Sequence, residues 1–414
     1  MARLQVSSSE NGVFFRAVGA SIGANGIALI IAMVGSVLLT RALGVEARGV
    51  VAWVFSLSSM AMAVLQFGIG QANRRFAAED PTRAGDLALF TIGGSLVGGV
   101  LILPFFAFYA MQAPVGHAHM SLVYLGLAAA PIMAIATNMG EMLVGLYKMN
   151  AFNLYIITQK VVNCLLILFL VSTHTVTPAT AVLVLLLSFA AQMLWTVVCV
   201  RREIGARRHE QGWIFHHLKS YMAASYTGNM LMNFSSTLMP LLVGNMCGVR
   251  EAGLFAACMT LIDAARSSLR MVGMHTLPKL ARTHEPGQRR ALARQSLSLS
   301  LGLGALAGIA LYSLSGWILP LLFGRDFAAA VPILRMMTPG LLGAVFFNTL
   351  QAMIASVTKG WEIVISPFIL IVLIGGVSWL LIPSFGGIGA ALAFAIGFAG
   401  ASLVSIVLCL RHFR

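Results

Sequence analysis

Acidic residues are scarce in this chain. Of 414 residues only 13 are Asp or Glu, against 27 Lys and Arg, and charged residues together make up 10%. A soluble domain carries about a quarter of its residues charged, so a soluble fold is excluded. The five cysteines (Cys164, Cys199, Cys247, Cys258, Cys409) are scattered, with no CxxC pair among them. That spacing offers neither a disulfide framework nor a thiolate metal site, and the cysteines read as small core residues. The histidines, His209, His216 and His217 among them, form no HExxH pattern, and the chain has no Walker A loop, nucleophile elbow or paired catalytic carboxylates. Neither ATP hydrolysis nor bond-making chemistry is expected, and no cofactor or metal. Met1 to Gly12 is polar, with no short apolar core before a cleavage site. The first spanning helix is therefore expected to act as the insertion signal.

What the chain has instead is hydrophobicity. The apolar fraction is 59% and the mean hydropathy +0.89, values that place it in a bilayer. Twelve spanning helices are expected, near 17–40, 50–70, 88–111, 121–146, 152–172, 179–200, 221–244, 253–277, 297–317, 332–356, 361–382 and 388–410. The connections leave no room for a soluble domain. The formal net charge of +14 lies mostly in those short gaps, which marks membrane orientation and removes nucleic acid as the expected partner. Nineteen basic residues fall on one side, against five (Arg41, Arg48, Arg250, Arg325, Arg335) on the other. Both termini are therefore expected in the cytoplasm.

Asp263, Arg266 and Arg270 stand inside the apolar stretch Gly253–Leu277. Steps of three and four residues put them on one helical stripe. Ionisable groups in a membrane cost about 2.5–3.5 kcal/mol each on insertion scales, so they normally face a protein interior or a watery cavity. The stripe points to a polar path for something anionic. Two readings fit it: Arg266 and Arg270 line a cavity, or Asp263 pairs with Arg266 while Arg270 snorkels to the cytoplasm.

An internal duplication supports a polar interface. Residues 20–78 lie over 224–282 at a constant offset of 204, matching Gly44, Val45 and Gly49 with Gly248, Val249 and Gly253. Ser21 and Asn25 match Ser225 and Asn229, and the stripe corresponds to Ser59, Met62 and Gln66. A second register, offset by 210, pairs Asn138 with Asn348 and Glu141 with Gln351. Six helices per half return the chain to its starting side, so the halves are expected to be parallel repeats about an axis along the membrane normal. The expected organisation is an N-terminal six-helix bundle over 1–204, a cytoplasmic linker over 205–220 and a C-terminal bundle over 221–414. Asn25, Asn229 and Asn233 suit either interhelical hydrogen bonds or a cavity wall that meets sugar hydroxyls. Lys160 either faces the cavity or snorkels. Glu141 either couples an ion, a role Asp263 also admits, or forms a salt bridge with Lys148 or Lys160.

The run LLTRALGVEARGVVAWVFSLSSMAMAVLQFGIGQANRRFAAE (38–79) resembles the first hairpin of O-antigen (Wzx-like) polysaccharide flippases. These belong to the multidrug/oligosaccharidyl-lipid/polysaccharide exporter superfamily. FGRDFAAAVPILR (323–335) and IPSFGGIGAALA (382–393) resemble that family's segments leading into the tenth and twelfth helices. The resemblance implies an all-α, V-shaped membrane fold of two six-helix bundles related by a pseudo-two-fold axis. It also implies translocation of a lipid-linked oligosaccharide on a polyprenyl diphosphate, from the cytoplasmic to the periplasmic leaflet of a bacterial inner membrane. A polysaccharide polymerase or export machinery would be the protein partner. Two alternatives stand beside it: a multidrug-type antiporter, which needs an acidic cavity, and a membrane glycosyltransferase or polymerase, which needs a positioned acid or base. Expected cavity residues are Arg266, Arg270, Asp263, Asn25, Asn229, Asn233, Gln66 and Lys160.

Overall fold

A computed structural model of the chain describes residues 8–205, 211–282, 285–357 and 361–412. Among these residues there is no strand. The helices are α1 (Ser8–Leu65), α2 (Ile69–Glu79), α3 (Ala84–Gln112), α4 (Pro114–Ala118), α5 (Met120–Gly145), α6 (Met149–Ser172), α7 (Pro178–Gly205), α8 (Gln211–Cys247), α9 (Val249–Arg282), α10 (Pro286–Phe323), α11 (Val331–Val357) and α12 (Glu362–His412). Eight segments are long and apolar enough to cross a bilayer. Two of the eight are double: Gly44 (φ 74°) interrupts α1 and Gly386 (φ 56°) interrupts α12. With α8 and α9 the spans number twelve. Several helices outrun the hydropathy windows, α10 beginning at Pro286 rather than near 297, because hydropathy marks only the hydrocarbon-immersed part of a helix.

The fold is an all-α membrane fold of two six-helix bundles. α1 packs on α6 as α8 packs on α12, α2 on α5 as α9 on α11, and α3 on α5 as α10 on α11. That matched pattern is what a pseudo-two-fold requires. Trp53, Leu57 and Leu65 anchor one core. Phe255, Phe347, Phe394 and Phe398 anchor the other, with the Phe394 and Phe398 rings edge-on at 4.8 Å.

The two halves meet where the duplication register says they should. A Cβ on Gly49 would lie 1.8 Å from the Val249 carbonyl oxygen, and one on Gly253 would lie 2.0 Å from that of Val45. Each contact maps onto the other under the offset of 204, as an isologous crossing must. Only glycine lets two helix backbones approach so closely. Gly44 and Gly248, one turn earlier in each half, both hold positive φ (74° and 87°) that open the second helix of each repeat.

Side chains complete the seal at this end. Arg41 Nε donates to the Leu322 carbonyl at 2.7 Å, and its Nη2 to that of Leu321, capping α10 in the opposite half. Its repeat equivalent Asn245 donates to the Tyr109 hydroxyl (2.8 Å) near the end of α3, and accepts from Trp53 Nε1 (2.9 Å).

The symmetry fails at the end of the second span. The second span was expected to run unbroken through 70, but it stops at Leu65 and resumes at Ile69. Phe67 (φ 44°) and Gly68 (φ 72°) take left-handed backbone there. Gly68 corresponds to Val272, which cannot adopt that conformation cheaply, and α9 runs on without a break.

Candidate functional site

Helix α9 carries the charged stripe beneath the glycine crossing. Asp263 and Arg266 lie 10 and 13 residues past Gly253, about 15 and 20 Å along the helix. Arg266 Nη2 is 2.9 Å from Asp263 Oδ1, an i,i+3 ion pair. Asp263 Oδ1 and Arg266 Nε are both buried without a hydrogen-bond partner among the described residues. The Arg266 side chain is 12% exposed and that of Asp263 is 45% exposed. The carboxylate thus borders space that protein does not fill, and most of the guanidinium's donors remain uncommitted. Arg270 lies on the same helix, and its side chain is outside the described residues.

The structure adds a cation that sequence reading assigned to topology. Arg48 was counted among the five outer-side basic residues, but its guanidinium turns into the seam between the halves. Nη2 lies 3.5 Å from Thr260 Oγ1 on α9, and Ser36 Oγ approaches the same hydroxyl at 3.5 Å. Thr260 spends its own proton on the Ala256 carbonyl (3.0 Å), so it can only accept from these two. Arg48 Nε is buried with no partner, and no ion pair reaches this side chain among the described residues. Proximity to the Gly44 turn made Arg48 read as a loop anchor. A lone apolar run beginning at Gly49 was the only hint against it.

Glu141 does not pair with Lys148 or Lys160. It takes Arg74, whose Nε donates to Glu141 Oε2 at 2.6 Å, while Lys148 donates to the Cys199 carbonyl (2.9 Å). Arg74 reaches it because α2 packs along α5. Lys160 is half-buried on α6, with no hydrogen bond or ion pair among the described residues. Asn25 and Asn233 are half-buried and Asn229 is exposed. Gln66 sits in the break after α1, its backbone N–H donating to the Met62 carbonyl and its own carbonyl accepting from Ile69.

The family described as "Polysaccharide biosynthesis protein" matches residues 14–284. The chain belongs to this family. Among solved structures it is similar to the inward-facing conformation of a multidrug resistance MATE family transporter of the MOP superfamily. The TM-score is 0.72 at 17% identity, covering 95% of this chain and 94% of that one. The outward-facing conformation of a multidrug resistance MATE family transporter gives 0.65 at 14% identity, covering 95% and 96%. A MOP superfamily transporter from Pyrococcus furiosus, described by the reverse polarity of its binding pocket, gives 0.62 at 15%, covering 95% and 96%. No curated protein matches. These likenesses establish the transporter fold for this member of the polysaccharide biosynthesis family.

One further feature borders the seam in this family member. A cavity of about 290 Å³ lies between α1, α3 and α8, lined by Leu57, Met60, Phe105, Phe106, Tyr109, Leu238 and Leu241. Phe105 is strongly exposed, so the cavity opens outward between the two halves. Its wall is apolar throughout except for the Tyr109 hydroxyl.

Proposed function

We propose that the protein is a flippase that carries a lipid-linked saccharide, on a polyprenyl diphosphate, from the cytoplasmic to the periplasmic leaflet of an inner membrane. The observation that carries this reading is Arg266, a guanidinium with free donors on a helix at the interface of two membrane bundles. Asp263 neutralises part of its charge, and Arg48 and Lys160 add more, while Glu141 is engaged by Arg74. The interior is therefore cationic on balance and suits an anionic head. The apolar crevice between α1, α3 and α8 gives a polyprenyl tail a route that keeps it in hydrocarbon. Family membership fits a saccharide cargo.

The glycine crossing joins the halves at the end assigned to the periplasm by the basic-residue count, with both termini cytoplasmic. In this reading the described state is open to the cytoplasm, and the higher TM-score with an inward-facing transporter accords with that. Parting of the halves at the crossing, with closure at the opposite end, would expose the head to the other side. The protein lowers the cost of moving a charged, hydroxylated head through hydrocarbon and makes no bond.

The test is reconstitution in liposomes with a fluorescent polyprenyl-diphosphate saccharide. Protein-dependent loss of the label's protection is expected, with an Arg266→Ala/Arg270→Ala variant inactive though well inserted. Equal flipping by that variant would sink the cationic-cavity mechanism. Drug-stimulated cation exchange in place of flipping would favour the antiporter.

A further inference from the structure

Arg48 is an anomalous charge among the described residues. It stands one residue from the close backbone contact between the halves at Gly49, and its head group reaches Thr260 on α9 of the other half. A half-buried guanidinium with no opposing charge is costly there, because its desolvation is not repaid by an ion pair. The fold does not need it there. The equivalent residue across the pseudo-two-fold is Ala252, fully buried beside the same glycine crossing. A methyl group satisfies that position in one half, so the long cation in the other is not a packing requirement.

We propose that Arg48, with Ser36 and Thr260 beside it, forms an oxyanion site that takes a carboxylate or phosphate group on the cargo's head. The guanidinium makes one weak contact, to Thr260, and keeps the rest of its planar fork for a ligand. Ser36 can turn its hydroxyl from Thr260 to the same ligand. A neutral sugar hydroxyl would leave the charge uncompensated, whereas a two-oxygen anion would match it bidentately. Thr260 and Arg266 are six residues apart on α9, about 9 Å along the helix axis. The two cations therefore form separate stations, one supplied by each half. A head group that engages both carries two anionic groups: its diphosphate and an acidic substituent on the saccharide. This inference rests on the flippase reading for its cargo, but the site itself can be tested with free anions.

The experiment measures binding to the purified full-length protein in detergent by isothermal titration, with thermal unfolding alongside. The probes are glucuronate, inorganic phosphate, glucose and undecaprenyl diphosphate. Glucuronate and phosphate are expected to bind and glucose not to bind. Arg48→Gln should weaken glucuronate at least ten-fold and Arg48→Lys by less, while the unfolding midpoint of ligand-free Arg48→Gln stays level or rises. If undecaprenyl diphosphate keeps its affinity in Arg48→Gln, the station serves the sugar acid. If that affinity falls by the same factor as glucuronate, it serves the lipid phosphate, and the oxyanion site stands in either case. Equal glucuronate and phosphate binding by the wild type and Arg48→Gln would overturn the proposal, as would no binding of either. So would a lowered midpoint of ligand-free Arg48→Gln that Arg48→Lys restores, since that marks a structural strut. None of these outcomes depends on transport, so they separate failure of the site from failure of the flippase reading.

Discussion

The Asp263–Arg266 pair was one of two arrangements legible in the sequence, because an i,i+3 step inside an apolar run brings the two side chains within reach. Arg48 and Glu141 were not, since each is decided by a partner or a direction that lies outside local sequence. Glu141 meets Arg74, 67 residues away, and Arg48 turns inward although its position beside a turn suits a loop anchor. The stripe itself yields a graded expectation. If Arg266 holds an anionic head, Arg266→Ala should lose a charge-assisted hydrogen bond worth about 1.5–3 kcal/mol, roughly ten- to a hundred-fold in binding. Arg266→Lys keeps the charge but not the fork, so it should fall between. Titration of the purified variants with undecaprenyl diphosphate checks the order, with membrane abundance measured so that misfolding is not mistaken for lost binding. Equal affinity in all three proteins would mean that Arg266 serves only Asp263.

At the scale of helices, the spans and the repeat register followed from hydropathy and glycine spacing. The break at Gln66–Gly68 did not, because a glycine inside an apolar run does not announce whether its φ will be positive. The crossing makes a sharp expectation. Gly49→Ala and Gly253→Ala each place a methyl within about 2 Å of a carbonyl oxygen, so the helices must part, at a cost of about 1–3 kcal/mol. The two variants should lower the unfolding midpoint by similar amounts, and the double variant by less than their sum, because one displacement relieves both clashes. Strongly unequal single effects would show that the crossing is not two-fold in solution. A second expectation concerns the loop after α2. Asp80 accepts from the Thr82 hydroxyl (2.5 Å), from the Thr82 amide (3.0 Å) and from Arg83 Nε (3.0 Å). The Thr82 hydroxyl bond, the largest cause, holds the Asp80 carboxyl below its usual range. A depressed carboxyl stabilises the turn fully above its unfolded pKa, about 3.9, and that support is lost as pH falls through the lower folded value. Hydrogen exchange of residues 80–84, corrected for intrinsic rates, should lose protection only in that acid window. Asp80→Asn should remove this dependence; an unchanged profile would assign it elsewhere.

For the whole molecule, the decisive question is whether the end sealed by Gly49, Gly253, Trp53 and Arg41 opens during the cycle. Two packed bundles that touch through backbone at one end have a natural pivot or a natural gate there, and alternating access requires a gate. Ser36 and Thr260 test the difference, because they lie on opposite halves with their hydroxyl oxygens 3.5 Å apart. In a protein whose five native cysteines are replaced, Ser36→Cys/Thr260→Cys would bring two thiols close enough to bridge after small adjustments, a disulfide being about 2.05 Å long. Mild oxidation should cross-link this pair in the ligand-free protein without changing its oligomeric state. Flipping in liposomes should then stop and return on reduction, while the rate of each single cysteine variant, whatever its level, does not change between the two conditions. Undiminished flipping by fully cross-linked Ser36→Cys/Thr260→Cys would mean that the halves never part at this end, and that the cargo crosses between leaflets without the rocking motion.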